Sequence, residues 1–213
     1  MTNPERARTV AALLKERYPD AACALHYQHD YELLFATRLS AQCTDARVNV
    51  VTKDLFSTFP TLQSFADAPI EAIEDGIRTC GLFRTKARDI KACAQMLLAD
   101  FGGRVPDTMD NLLRLPGVGR KTANLILGDI YGQPAIVTDT HCIRLSNRLG
   151  FVTNQKDPVK VETALRELIP PEESSNFCHR LVLHGRETCT ARAPQCTGCC
   201  LAAVCPSYPL GSS

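Results

Sequence analysis

One device recurs along this chain: a capping residue or a proline, a run of apolar side chains at helical spacing, then a glycine or proline stop. Asn3 and Pro4 open the first run, which carries to about Tyr18. Residues 31–41 are apolar enough for a core helix, and 45–59 place apolar side chains at 48, 51, 55, 56 and 59. A short helix is predicted at 69–77 and a long one at 84–101, stopped by Gly102 and Gly103. Thr108 opens another, ended by Pro116, and further helices are predicted at 121–131 and 139–149. Asp157 and Pro158 begin a helix with apolar residues at 161, 164, 165, 168 and 169, and Ser174 or Ser175 caps a last one to Gly185. The best strand candidate, Ile136-Val137, is too short to build a sheet. The pattern predicts an all-α fold.

Bulk composition narrows the class without naming a function. Hydrophobic residues make up 45% and charged residues 22% of 213, ordinary for a globular chain with a real core. No apolar run reaches the length of a membrane span, and residues 1–8 are polar and charged, unlike a secretory leader, so a cytoplasmic protein is expected. The net charge is only +1, so any nucleic-acid affinity has to come from a local basic surface. Arg84, Lys86, Arg88 and Lys91 crowd around Asp89, and Arg180, Arg186 and Arg192 outnumber Glu187 near the end; charge alone reads both as solvated helix faces.

The segment between two predicted helices at 115–123 reads Leu-Pro-Gly-Val-Gly-Arg-Lys-Thr-Ala. Gly117 and Gly119 permit a tight turn with positive φ and let a large anion approach the backbone. The helix behind them then aims free N–H groups and its positive dipole end at that anion, for which a DNA phosphate is a natural candidate. Contact through phosphate carries no sequence preference. Lys121, in the first turn of that helix, reads either as a phosphate ligand or as a nucleophile. An amine attacks only when uncharged, which desolvation and a helix N-terminus both favour. Eighteen residues on, Asp139 in Val-Thr-Asp-Thr-His fits a helix N-cap. It equally suits a carboxylate that stabilises positive charge on a sugar and helps deprotonate an amine. His141, early in the same helix, is more simply structural.

Eleven cysteines are present, and five fall between 189 and 205. Cys189, Cys196, Cys199 and Cys205 follow C-x6-C-x2-C-x5-C, with Cys200 as a fifth thiol. Without a secretory leader such a group favours a metal site over disulfides. Spacing alone leaves zinc and an iron–sulfur cluster open, although zinc ribbons usually carry two Cys-x-x-C pairs.

The hairpin, Lys121, the Asp139 segment and the cysteine spacing together resemble the endonuclease III family, bifunctional DNA glycosylases and AP lyases for oxidised pyrimidines. The resemblance runs from the Ser40-Ala41-Gln42 segment to Cys205. It implies a six-helix domain over 22–132, with the helix–hairpin–helix at about 109–128. It also implies a second domain of 1–21 plus 133–213 that binds a [4Fe–4S] cluster, with duplex DNA across the cleft between the two. It makes Lys121 the nucleophile, Asp139 its partner, and Cys189, Cys196, Cys199 and Cys205 the cluster ligands. Gly117, Gly119, Arg120 and Arg192 would contact DNA, and Gln42 and Leu82 would fill the gap left by a flipped base. Residue type alone makes Leu82 a core side chain and Gln42 an exposed helix end. A monomer is expected.

This chain departs from the pattern at Cys43, Thr138 and the 189–196 loop, which is less basic than is typical. Three rivals are an adenine-removing glycosylase, a non-catalytic DNA-binding module and a DNA-dependent redox sensor. Lys121 and the short tail after Cys205 oppose the first, and the Lys121 and Asp139 pair opposes the second.

Overall fold

The computed structural model describes residues 1–209, and among them every regular element is helical. The helices are α1 (Asn3–Arg17), α2 (Asp30–Leu39), α3 (Asp45–Thr58), α4 (Leu62–Asp67), α5 (Ile70–Gly76) and α6 (Phe83–Phe101). They continue with α7 (Met109–Arg114), α8 (Arg120–Asp129), α9 (Thr140–Arg148), α10 (Pro158–Leu168) and α11 (Ser174–Glu187), with short 3-10 turns at Pro171–Glu173, Cys196–Gly198 and Ala202–Val204. No helix among the described residues is long and apolar enough to cross a membrane. The chain divides into two compact units: Cys23–Tyr131, and Met1–Ala22 with the chain from Gly132 onward.

The Cys23–Tyr131 unit holds seven helices, six that caps, stops and apolar spacing predict and one, α4, that the sequence reading leaves out. Six residues are too few to show a period. The signal was instead a cap: Thr61 and Ser64 exchange backbone-to-hydroxyl hydrogen bonds of 3.1 Å in a capping box. That helix inserts Phe65, fully buried, edge-on to Phe35 at 5.0 Å between centroids and beside Phe59 at 5.1 Å. Burying Phe65 is worth about 2–3 kcal/mol, more than so short a helix could supply alone. The long α6 packs on α4, α5 and α2. It ends as its glycines predict, with Gly102 left-handed (φ 59°) and the Gly103 N–H donating to Leu97 O at 2.8 Å.

In the other unit α11 packs on α9 and α1, and α10 on α1 and α9. Ile136 and Val137 do not pair as a strand. The nearby backbone donors go to side chains of α11: Ala135 N–H to Ser174 Oγ at 3.0 Å and Val137 N–H to Cys178 Sγ at 3.3 Å. Ala135 and Ile136 are fully buried, so an extended segment is satisfied by a helix where a sheet would otherwise be needed.

Candidate active site and cysteine loop

The hairpin is built by a turn that only glycine can make. After α7, Val118 N–H donates to Leu115 O at 3.1 Å, and Gly117 takes φ 74°. A Cβ at Gly117 would lie 2.9 Å from Cβ of Asp89 and from Cδ and Nε of Arg38. Those two side chains are themselves locked, Arg38 Nε donating to Asp89 Oδ2 at 2.7 Å and Nη2 standing 2.6 Å from the same oxygen. Gly119 is different from the reading that gave both glycines positive φ. It is the extended N-cap of α8 (φ −104°), and a Cβ there meets nothing within 4 Å. Gly119, as the N-cap, brings no side chain of its own to cap α8. Arg120 and Lys121 follow as its first two residues, both exposed.

Gln42 and Leu82 share an unusual backbone. Both are non-glycine residues in the left-handed region, at φ 56° and 59°. Each costs about 1–3 kcal/mol and persists only where the surroundings enforce it. Cys43 N–H closes the turn on Ser40 O at 3.1 Å, with Gln42 at its third position. Leu82 is the N-cap of α6 and is 56% exposed, so it is not core. The two turns are neighbours: a Cβ on Gly81 would lie 3.6 Å from Gln42 O. Gln42 is exposed as well, so the pair stands out from the surface of this unit.

Asp139 belongs to the other unit, where it caps α9, Oδ1 accepting from Cys142 N–H at 2.7 Å. Its structural role is therefore real, and it fixes the carboxylate. His141 is wedged against α11: a Cβ on Gly185 would lie 2.6 Å from its Nδ1. Burial lowers the His141 pKa, and its Nδ1 lies 3.1 Å from Arg144 Nη2. This is a packing histidine.

The opposite end of α9 grips the cysteine loop. Arg148 Nη1 stands 3.2 Å from Cys189 Sγ and donates to Thr190 O at 2.8 Å, while its Nη2 donates to Ala191 O at 3.1 Å. Arg144 Nη2 donates to Cys189 O at 3.0 Å and Gly185 O at 2.9 Å. The Arg148 carbonyl accepts from Ser207 Oγ at 2.7 Å and lies 3.7 Å from Cys205 Sγ. Arg192 is exposed in the loop so held. Cys189, Cys196, Cys199 and Cys205 are half-buried thiols of one neighbourhood: burial raises the Cys205 pKa first, and the charges of Cys189, Cys199 and Cys196 add to it. Among the described residues no group of three or more His, Cys, Asp or Glu is placed to hold a metal ion.

Residues 35–171 match the model of the HhH-GPD superfamily base excision DNA repair proteins. The chain is 46% identical to endonuclease III of Synechocystis sp. over 95% of this chain and 93% of that one. This chain belongs to the endonuclease III family. It is also 42% identical to endonuclease III of Bacillus subtilis over 89% of this chain and 87% of that one. Against a solved structure of a trapped endonuclease III–DNA covalent intermediate the TM-score is 0.91, at 43% identity over 97% of both chains. Against a non-covalent endonuclease III–DNA complex it is 0.92, at 43% identity over 97% of this chain and 96% of that one. A thermostable thymine-DNA glycosylase shares the fold (TM-score 0.87) at 23% identity.

Within this endonuclease III family member, several residues that shape the site gave no motif signal. Arg38 and Asp89 lie far apart in sequence and meet only under Gly117. Arg144 and Arg148 are one turn apart on α9, a spacing visible in the sequence, but their acceptors are loop carbonyls that no pattern reveals. Lys86, counted above with a basic surface stretch, is fully buried.

Proposed function

We propose that Lys121 is the nucleophile of a bifunctional DNA glycosylase and AP lyase of base excision repair, acting on oxidised pyrimidines in duplex DNA. One observation carries the assignment. Lys121 stands exposed in the first turn of α8, directly behind a hairpin whose Gly119 leaves open space and brings no capping side chain to the helix start. A phosphate seated on those N–H groups would hold the strand beside the amine. A covalent DNA intermediate has been trapped in a 43% identical endonuclease III, as a lysine–sugar adduct would allow.

The target nucleotide must leave the stack before its C1′ is reachable. Gln42 and Leu82 would occupy the gap, since both are held out from the surface on enforced turns. The Lys121 amine then bonds to C1′ as the glycosidic bond breaks, its electron pair leaving with the base. The sugar ring opens to an imine. Loss of a C2′ proton shifts electrons to expel the 3′ phosphate from C3′, and hydrolysis of the imine frees Lys121. Asp139 would accept the amine proton and stabilise the cationic sugar. Its cap to Cys142 leaves Oδ2 to do so in a fixed orientation.

The same reading makes the unit 22–132 the hairpin domain and 1–21 plus 133–213 the cluster domain of a cytoplasmic, nucleoid-associated enzyme. Cys189, Cys196, Cys199 and Cys205 have the donor chemistry of a [4Fe–4S] site, four half-buried thiols in one short C-terminal stretch. When bound, the cluster would supply a structural cross-link. The residues around it present Arg192 to the DNA backbone.

The test is cleavage of duplexes carrying thymine glycol, an oxidised cytosine, 8-oxoguanine or an abasic site, with borohydride trapping in parallel. The expected result is cleavage and a covalent adduct with the oxidised pyrimidines and the abasic site. An adduct formed equally well by a Lys121→Ala protein would end the assignment.

A further inference from the structure

Gln42 and Leu82 are both held in left-handed backbone, on neighbouring turns, and something must hold them there. The side chain of Lys86 is fully buried between those turns. Its Nζ donates to Leu39 O at 2.8 Å and to Ala41 O at 2.6 Å. Leu39 is the last residue of α2, so the ammonium satisfies a carbonyl that the helix end leaves unpaired, at the negative end of its dipole. Ala41 immediately precedes Gln42. The backbone N–H of Lys86 donates to Leu82 O at 3.1 Å, closing the first turn of α6. One residue is thus bonded to both turns, through its side chain to the first and through its backbone to the second.

We propose that Lys86 is a positioning residue that sets Gln42 and Leu82 as one rigid wedge for the gap left by the flipped nucleotide. The inference rests on the reading of those two residues as gap fillers. A buried ammonium is costly unless its donors are used. Two charge-assisted bonds to carbonyls of the chain leading into Gln42 are a use that stabilises the turn and leaves Gln42 little freedom to relax. Burial pulls the Lys86 pKa down, while the thiols of Cys80 and Cys43 pull it up. A rigid wedge lowers the entropy lost when the helix is entered, and misplacement near a reacting centre costs rate steeply.

Lys86→Met keeps an unbranched side chain as far as Cε and removes the ammonium with its donors. Two substrates separate the roles: a thymine glycol duplex, where a base must be flipped and a gap filled, and a single-stranded abasic oligonucleotide, where neither is needed. Lys86→Met is expected to lose about tenfold to a hundredfold in kcat/KM on the duplex and to trap with borohydride on the single strand like the parent. Equal losses on both substrates would overturn the proposal, as would an unchanged rate on the duplex while Gln42→Ala and Leu82→Ala are slowed. Should Gln42→Ala and Leu82→Ala excise from the duplex at the parent rate, the gap-filling reading itself fails and takes the proposal with it. A Gln42→Ala and Lys86→Met double variant should be no slower on the duplex than the slower single variant, because both act through one turn; multiplied losses would place Lys86 elsewhere. The parent protein gives a reading that no folding defect can obscure. The Lys86 ammonium should appear by 15N NMR as a signal in slow exchange with solvent, and fast exchange would overturn its placement.

Discussion

Gly117 runs so close to Asp89 that a Cβ built on the glycine would stand 2.9 Å from the Asp89 Cβ. Asp89 cannot yield easily, since its carboxylate holds Arg38, and Arg38 presses on the same glycine. The hairpin of this endonuclease III relative is therefore keyed into α2 and α6 by a missing side chain, and its two glycines are missing side chains for different reasons.

That difference is measurable. Gly117→Ala adds a left-handed alanine and a contact no real Cβ tolerates, so it should cost about 2–4 kcal/mol in urea unfolding. Gly119→Ala meets open space in an extended backbone and should cost under about 1 kcal/mol. If Gly119 is bare so that DNA can approach, Gly119→Ala should still weaken binding to an abasic-analogue duplex by fluorescence anisotropy. Unchanged affinity would remove the reason given for that glycine.

Asp139 has two proposed duties, and two substitutions divide them. Asparagine caps helices as well as aspartate does, so Asp139→Asn should keep the fold and DNA affinity while slowing turnover by about 10²–10⁴-fold. Asp139→Ala loses the bond to Cys142 N–H as well and should unfold about 1 kcal/mol more easily. Equal turnover for Asp139→Asn and the parent would leave Asp139 as a cap alone.

Where the sequence was legible, the information was local. Gly102 ends α6 because a left-handed C-cap favours glycine, and Asp139 caps α9 because its side chain reaches Cys142 N–H. What was not legible depended on distant partners. Ile136 and Val137 look like a strand until Ser174 and Cys178 supply hydrogen-bond partners from α11. Lys86 reads as one of several basic residues, and only the carbonyls of Leu39 and Ala41 explain why it is inside. Leu82 reads as core because leucine usually is, yet the left-handed turn carries it outward. The family resemblance, and not periodicity, singled out Gln42 and Leu82.

Arg148 joins α9 to the cysteine loop through the Cys189 sulfur and the carbonyls of residues 189–191. A lysine has the charge but not the planar fork that serves several acceptors at once. Arg148→Lys and Arg148→Met should therefore both loosen the loop. The measurement is the visible absorbance of the proposed [4Fe–4S] cluster in natively purified protein, with iron and sulfide content, followed over time in air. Both variants are expected to lose the absorbance faster than the parent. Parent-like persistence in Arg148→Met would show that the loop holds without this clamp.

Glu173 ties α1 to α11, its Oε1 accepting from Lys15 Nζ at 2.5 Å and its Oε2 from the buried Arg180 Nη1 at 2.6 Å. The hydrogen bonds from Lys15 and Arg180, in that order, lower its pKa below the ordinary 4.5. A carboxyl lowered by folding binds its proton more weakly in the native state than in the unfolded one. Its contribution is thus complete above the unfolded value and fades as pH falls through the lowered one. Glu173→Gln removes the charge and leaves Arg180 without its counter-ion. The gap in Tm between parent and variant should be widest near neutral pH and narrow in acid, followed from about pH 7 to about pH 3. Arg180 is almost wholly buried, whereas Lys15 is well exposed, so Lys15→Met should reproduce only a small part of the effect. A gap that stays constant across the whole range would mean that Glu173 acts by shape and not by charge.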